Sequence, residues 1–274
     1  MKSLTFTLFM ASALSLKAQV HQVKKLWETD TVLAIPESVW PDVKNNRLFV
    51  SLIDGAGWAN DGKGQVGIVS DEGKMINSQW IKGLNAPKGM VSNKGLLYVA
   101  DNSQVVVIGI KTQTIEATIP IKGATRLNDI EVDPVSQSLY VSDSKTGIIW
   151  KIDNNVAVAY LSDVQGANGL KVVDGKLYFA AGKSLKVADK NKRIDSIVTL
   201  PSGIDGIAAV GNGDLLVSAW AGSLYYVYQD GHYECLLDTT EEGKNAADIS
   251  FDRASRIIYI PTFNGKTVAA YLLQ

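Results

Sequence analysis

Six residues stand at the head of six similar segments: Glu37, Lys88, Asn128, Asn168, Asp205 and Ala247. Each opens a stretch that runs through an apolar alternation and a turn into a Leu-aromatic-Val strand. Examples are ESVWPDVKNNRLFVS from Glu37, NDIEVDPVSQSLYVS from Asn128 and ADISFDRASRIIYIP from Ala247. Glu37, Asn128, Asn168 and Asp205 carry side-chain oxygens. Two carboxylates and two amide carbonyls converging on one point present hard donors with a charge near −2, which suits Ca²⁺, Mg²⁺ or Mn²⁺ rather than a thiolate-loving metal. Without a cation, two carboxylates that close repel, and at least one pKa rises. Lys88 is the odd member of the set. Its ammonium either pairs with Glu37 or Asp205 and weakens the hold on a cation, or faces solvent and binds an anionic substrate.

What must position these residues is a repeat. The six openers are spaced by 51, 40, 40, 37 and 42 residues. Each is followed by further alternating runs bounded by Gly, Asn and Asp turns, for example GIIWKID (147–153) then VAVAYLSD (156–163). Units of about 40 residues with four short strands predict a six-bladed β-propeller, whose radial closure leaves few exposed sheet edges. The last repeat lacks a strand, while VKKLWETD (23–30) precedes the first. The N-terminal run is therefore expected to complete the last blade and close the ring. The long first interval places an insertion at 54–65, DGAGWANDGKGQ, on the face where the innermost strands begin. Asp54, Trp58 and Asn60 either overhang the channel mouth there or form an exposed turn. Residues 57–64, GWANDGKG, approach a phosphate-binding loop, but Gly64 stands where the metal-binding hydroxyl belongs and a strand follows instead of a helix, which argues against nucleotide binding.

Four of these segments resemble the motifs of the gluconolactonase, regucalcin and senescence-marker family of six-bladed propellers, which includes the luciferin-regenerating enzymes. More distantly they resemble those of paraoxonases and diisopropyl fluorophosphatase. ESVW at 37 looks like the family's E-G-P-x-W, RLND at 126 like R-x-N-D, ANGL at 167 like S-N-G-L, and GIDGIA at 203 like P-D-G-x-x. The resemblance spans residues 33–270. It implies a divalent ion, Ca²⁺ first with Mg²⁺, Mn²⁺ or Zn²⁺ as alternatives, held by Glu37, Asn168 and Asp205. Asn128 is then a fourth ligand or a substrate contact, Arg126 faces the substrate, and Asp129 supports the ligand shell. It also implies hydrolysis of a sugar lactone or similar small ester, with Asp205 accepting a proton from water. Ser38 and Val39 replace the Gly and Pro of the first motif, and Ile204 replaces the Pro before Asp205. The contrasting reading is a non-catalytic propeller of the NHL type that holds a protein or glycan, since PKGMVSNKGLLYVADN (87–102) resembles such a repeat.

Composition limits the partners. The 274 residues are 46% hydrophobic and 20% charged, with a formal net charge of −1. That balance suits one globular domain and offers neither a basic stripe for nucleic acid nor a polybasic membrane patch. A small-molecule partner and a monomeric state are expected. Lys2, the apolar run Leu4 to Leu16 and the small Ala18 read as a signal peptide over 1–18, with cleavage before Gln19. The run is too short to span a bilayer. Residues 19–274 are then the propeller, secreted or periplasmic and free of the membrane after cleavage. Cys235 is the sole cysteine and is expected as a half-buried strand thiol; with His21 and His232 the only histidines, the sequence argues against thiol or Ser-His-Asp catalysis.

Overall fold

The computed structural model describes residues 21–30 and 33–274, so the expected signal peptide at 1–18 and its junction before Gln19 lie outside the described residues. Five repeats each fold as a four-stranded antiparallel meander, the sixth supplies three strands of its sheet, and the six sheets form the blades of an all-β propeller. The innermost strands are Pro36–Asp42, Pro87–Asn93, Leu127–Val132, Ala167–Val173, Ile204–Ala209 and Ser250–Asp252, in blades 1 to 6. Tight turns with two consecutive positive φ angles, Lys94-Gly95, Asn154-Asn155 and Asp174-Gly175, join hairpins within blades 2, 3 and 4. Such turns match the right-handed twist of the strands they connect.

The ring closes as the sequence predicts. Val23–Glu28 pairs antiparallel with Val268–Leu273 as the outermost strand of blade 6, from Val23 opposite Leu273 to Glu28 opposite Ala269. Beyond the ladder, Thr29 N donates to the Val268 carbonyl at 2.9 Å and Val268 N donates to Thr29 Oγ1 at 2.9 Å. The core lies between blades, one apolar cluster per interface among the described residues. Phe49, Trp80, Met90 and Val99 fill the gap between blades 1 and 2, and Leu216, Tyr226, Ile258 and Tyr271 that between blades 5 and 6. Cys235 is on the outermost strand of blade 5, as expected, but is exposed rather than half-buried, because that strand turns one face to solvent.

One local irregularity repeats around the axis. In blades 1 to 5 the innermost strand pairs normally at its first residue, then skips: Pro36 faces Leu52 and Val39 faces Val50, so Glu37 and Ser38 together oppose Ser51. The same two-against-one bulge holds Lys88 and Gly89, Asn128 and Asp129, Asn168 and Gly169, and Asp205 and Gly206. A bulge releases its residues from the ladder and re-aims their side chains, here at the point where each strand begins its run along the channel. Alternate blades stabilise it with a serine opposite the bulge. Ser51, Ser142 and Ser218 accept from the N–H of Ser38, Asp129 and Gly206 at 2.9, 3.0 and 2.8 Å, while blades 2 and 4 have Ala100 and Ala180 there.

Candidate active site

Five of the six opening residues sit on these equivalent bulges and form an upper ring. Asp101 and Asp143 brace the chain just before two of them: Asp101 accepts from the N–H of Asn85 and Ala86, and Asp143 from that of Thr125. Lys88 Nζ lies 3.9 Å from Glu37 Oε1, with both side chains buried. Asn168 Nδ2 donates to Asp205 Oδ1 at 2.7 Å. Asn128 donates through Nδ2 to Ser144 Oγ at 2.9 Å, and Ser144 passes a hydrogen bond to the Ala167 carbonyl in the next blade at 2.7 Å. Ala247, the sixth opener, is fully buried and adds no donor to the ring; its N–H goes to the Pro261 carbonyl.

The 54–65 insertion leans inward. Asn102 Nδ2 holds it from blade 2, donating to the Ala59 carbonyl at 2.9 Å and to Asn60 Oδ1 at 2.6 Å. The Trp58 ring thereby lies 4.5 Å from Lys88 Nζ and 5.4 Å from Arg126 Cζ, and Phe263 of blade 6 approaches Lys88 Nζ at 5.6 Å. Lys88, Arg126 and Trp58, separated in sequence, are thus neighbours, whereas Asp54 stays exposed in the turn.

Burial dominates the electrostatics. It drives the Glu37 carboxyl well above its usual range; Lys88 opposes this, and the charges of Asp205 and Asp248 add to it. Burial likewise lifts Asp205 to about 6 against the hydrogen bond from Asn168 and the charge of Lys88. The Lys88 ammonium is pulled down by burial and held up by Glu37 and Asp205.

Whether this ring suits a divalent cation can be read from its unused oxygens. Glu37 Oε2 is buried and has no hydrogen-bond partner. Asn128 and Asn168 spend their amide N–H groups on neighbours, so both amide carbonyls are left as acceptors. Among the described residues no cluster of three or more His, Cys, Asp or Glu is placed to hold a metal. The ring reaches four donors by adding two amides to two carboxylates. A hard-oxygen set of that kind, with one carboxylate oxygen orphaned, fits a hard divalent ion.

One step down the channel lies a second ring, of which the sequence motifs singled out Asp129 and, as a departure, Ser38. Its members are Ser38, Gly89, Asp129, Gly169, Gly206 and Asp248. Asp129 accepts from Leu170 N of the next blade and from Ile130 N at 2.7 Å. Asp248 accepts from Ser38 Oγ across the blade 6–blade 1 seam, where Asp248 N also donates to the Glu37 carbonyl at 3.0 Å. The glycines are a packing requirement: a Cβ on Gly89 would fall 2.4 Å from Asp129 Oδ1, and one on Gly169 2.3 Å from the Asp205 carbonyl. The signal for Asp248 in the sequence is that it follows Ala247 as Asp129 follows Asn128. Below this ring a cavity of about 270 Å³ opens at the opposite end of the channel, where Lys171 pairs with the buried Glu131 at 2.7 Å.

Solved structures share this architecture. A protein provisionally named gluconolactonase superposes with a TM-score of 0.70 at 15% identity, covering 93% of this chain and 93% of its own. A catalytically inactive virginiamycin B lyase from Staphylococcus aureus, solved with quinupristin, gives 0.64 at 13% identity over 92% of this chain and 99% of its own. Luciferin-regenerating enzyme gives 0.63 at 11% identity over 92% and 95%. The likeness is one of fold. The first and third of these are six-bladed propellers of the gluconolactonase and senescence-marker family that the four motifs resemble. The sequence matches no protein-family model and no curated protein. All three neighbours bear enzyme names.

Proposed function

We propose that this chain is an exported, divalent-metal-dependent hydrolase of sugar lactones or similar small esters, acting at the upper ring. The observation that carries the reading is the convergence of Glu37, Asn128, Asn168 and Asp205 on one ring of bulges with Glu37 Oε2 left unpartnered in a buried place. Glu37, Asp205 and the carbonyls of Asn168 and Asn128 would hold the ion. A bound divalent cation supplies a Lewis acid for the ester carbonyl and offsets the charge of the tetrahedral intermediate. Asp205 would take the proton of an attacking water, with Asn168 fixing its orientation through the 2.7 Å hydrogen bond. Asp129 keeps Asn128 in place by tying its strand to Leu170 in blade 4. Trp58, Arg126 and Lys88 line the approach and hold the substrate.

The test is acid release from a panel of small lactones by purified protein, with added Ca²⁺, Mn²⁺ or Zn²⁺, after chelation, and with Asp205→Ala. We expect turnover that chelation abolishes and metal restores, and that Asp205→Ala lowers by about a thousandfold or more. Folded protein that hydrolyses no lactone with any of these metals would overturn the reading and leave the propeller as a binding module for a protein or glycan.

A further inference from the structure

Lys88 is the one member of the upper ring that neither the fold nor an oxygen-donor set requires. Its side chain is only 4% exposed. Yet its contact with Glu37, at 3.9 Å, is too long for a hydrogen bond, and among the described residues no hydrogen bond uses its ammonium. Glu37 Oε2 is fully buried without a partner, whereas the Lys88 nitrogen reaches the channel with its three N–H donors open to a ligand. The indole of Trp58, 4.5 Å away, stabilises the charge but does not satisfy those donors. Arg126 flanks the same indole at 5.4 Å, is exposed, and has no ion-pair partner among the described residues. Two cations that lack hydrogen-bonded carboxylates therefore meet around one aromatic ring at the channel mouth.

Charge balance points the same way. Glu37 and Asp205 bring two negative charges to this mouth, and Lys88 and Arg126 bring two positive ones. A divalent ion on the oxygen donors offsets Glu37 and Asp205 and leaves Lys88 and Arg126 without a paired carboxylate, the buried Asp248 being held by Ser38 one step below. The alternative, that Lys88 only neutralises Glu37 and Asp205, accounts for neither the missing hydrogen bonds nor the second cation at Trp58.

We propose, resting on the hydrolase reading above, that the substrate is an anion: a lactone or ester that also carries a carboxylate or a phosphate. The anionic group lies against Trp58 between the Lys88 ammonium and the Arg126 guanidinium, and the ester carbonyl faces the Glu37–Asp205 side of the ring. The insertion at 54–65 is then a specificity loop, with Asn102 setting the height of Trp58 above the ring.

Two readouts test this. The first is isothermal titration of the Ca²⁺-loaded protein with glucose, glucuronate and glucose 6-phosphate, sugars that share a ring, lack a lactone and differ in charge. The second is kcat/KM for a neutral lactone and for matched lactones bearing a carboxylate or a phosphate. We expect the charged sugars to bind at least about tenfold more tightly than glucose, with the carboxylate and phosphate arms identifying which anion is preferred. Lys88→Met and Arg126→Gln should each remove about tenfold of that preference, and Lys88→Arg should retain it. Arg126 is exposed, so its variant keeps the test open should Lys88→Met fold poorly. Equal binding of glucose and its charged relatives, or anion binding unchanged in both variants, overturns the proposal. Turnover of neutral lactones without preference for charged ones sinks this inference and leaves the hydrolase reading intact. Lys88-dependent binding of charged sugars without any lactone turnover does the reverse.

Discussion

Glu28, on the closing strand of blade 6, and Glu37, on the innermost strand of blade 1, both face lysines, and their surroundings treat them oppositely. Glu28, on the strand that closes the ring, meets Lys25, accepts from Thr267 Oγ1 at 2.7 Å, and lies 3.0 Å from Lys244 Nζ. Burial alone would raise its carboxyl, but these hydrogen bonds outweigh it and hold the group at about 2. Glu37 is more deeply buried and has one lysine at 3.9 Å, one orphaned oxygen and two further carboxylates nearby, so its carboxyl is driven well up. A carboxylate whose acceptor sites are filled stabilises the fold. One whose sites are left open at a channel mouth costs stability and is available to a ligand.

The contrast breaks first at Lys88. Lys88→Met leaves Glu37 and Asp205 buried with no cation nearby, and removing one partner of a buried pair costs about 3 kcal/mol. Guanidinium denaturation of chelated protein at pH 7.5 should show that loss. The difference should shrink as pH falls. A carboxylate whose folded pKa is raised contributes stability that is present below its unfolded value and is lost as pH rises through the folded one, about 6 for Asp205. A variant as stable as the parent at pH 7.5 would mean that Lys88 compensates nothing. The double substitution Glu37→Gln with Lys88→Met sharpens the point, because replacing both members of a buried pair is commonly neutral or stabilising. We expect it to recover most of the roughly 3 kcal/mol lost by Lys88→Met, the remainder belonging to Asp205, which still lacks its cation, in a protein that has lost lactone turnover. A double variant as unstable as the single one would show that the ring is structural.

The blades, the closing strand and five ring positions were legible in the sequence because a propeller repeats one pattern, and repetition averages away local ambiguity. The bulge was not legible. It needs the register of two strands, and Glu37-Ser38 or Asp205-Gly206 read as ordinary strand residues until their partners are known. Ser51, Ser142 and Ser218 against Ala100 and Ala180 leave an alternation in the sequence that acquires meaning only when each is seen opposite a bulge. Asp248 was missed because the sixth inner strand begins later than the others. The nearness of Lys88, Trp58 and Arg126 lay beyond sequence reasoning for a different reason. It depends on an insertion without repeat counterparts, held in place by hydrogen bonds from Asn102.

The smallest expected effect belongs to Glu28, and it tests the satisfied side of the comparison. With a folded pKa of about 2 and an ordinary value of 4.5, its contribution is fully present above about 4.5 and is lost as pH falls from there through about 2. Glu28→Gln should therefore cost about 1 kcal/mol at pH 6, a modest figure because the cluster is partly open to solvent and screened by salt. Near pH 2 the variant and the parent should converge. Thermal denaturation of both proteins at pH 6, 4 and 2.5 reads this directly. A cost that does not change with pH would assign the effect of Glu28 to packing of the closing strand rather than to its charge, and the opposition between the two glutamates would then rest on Glu37 alone.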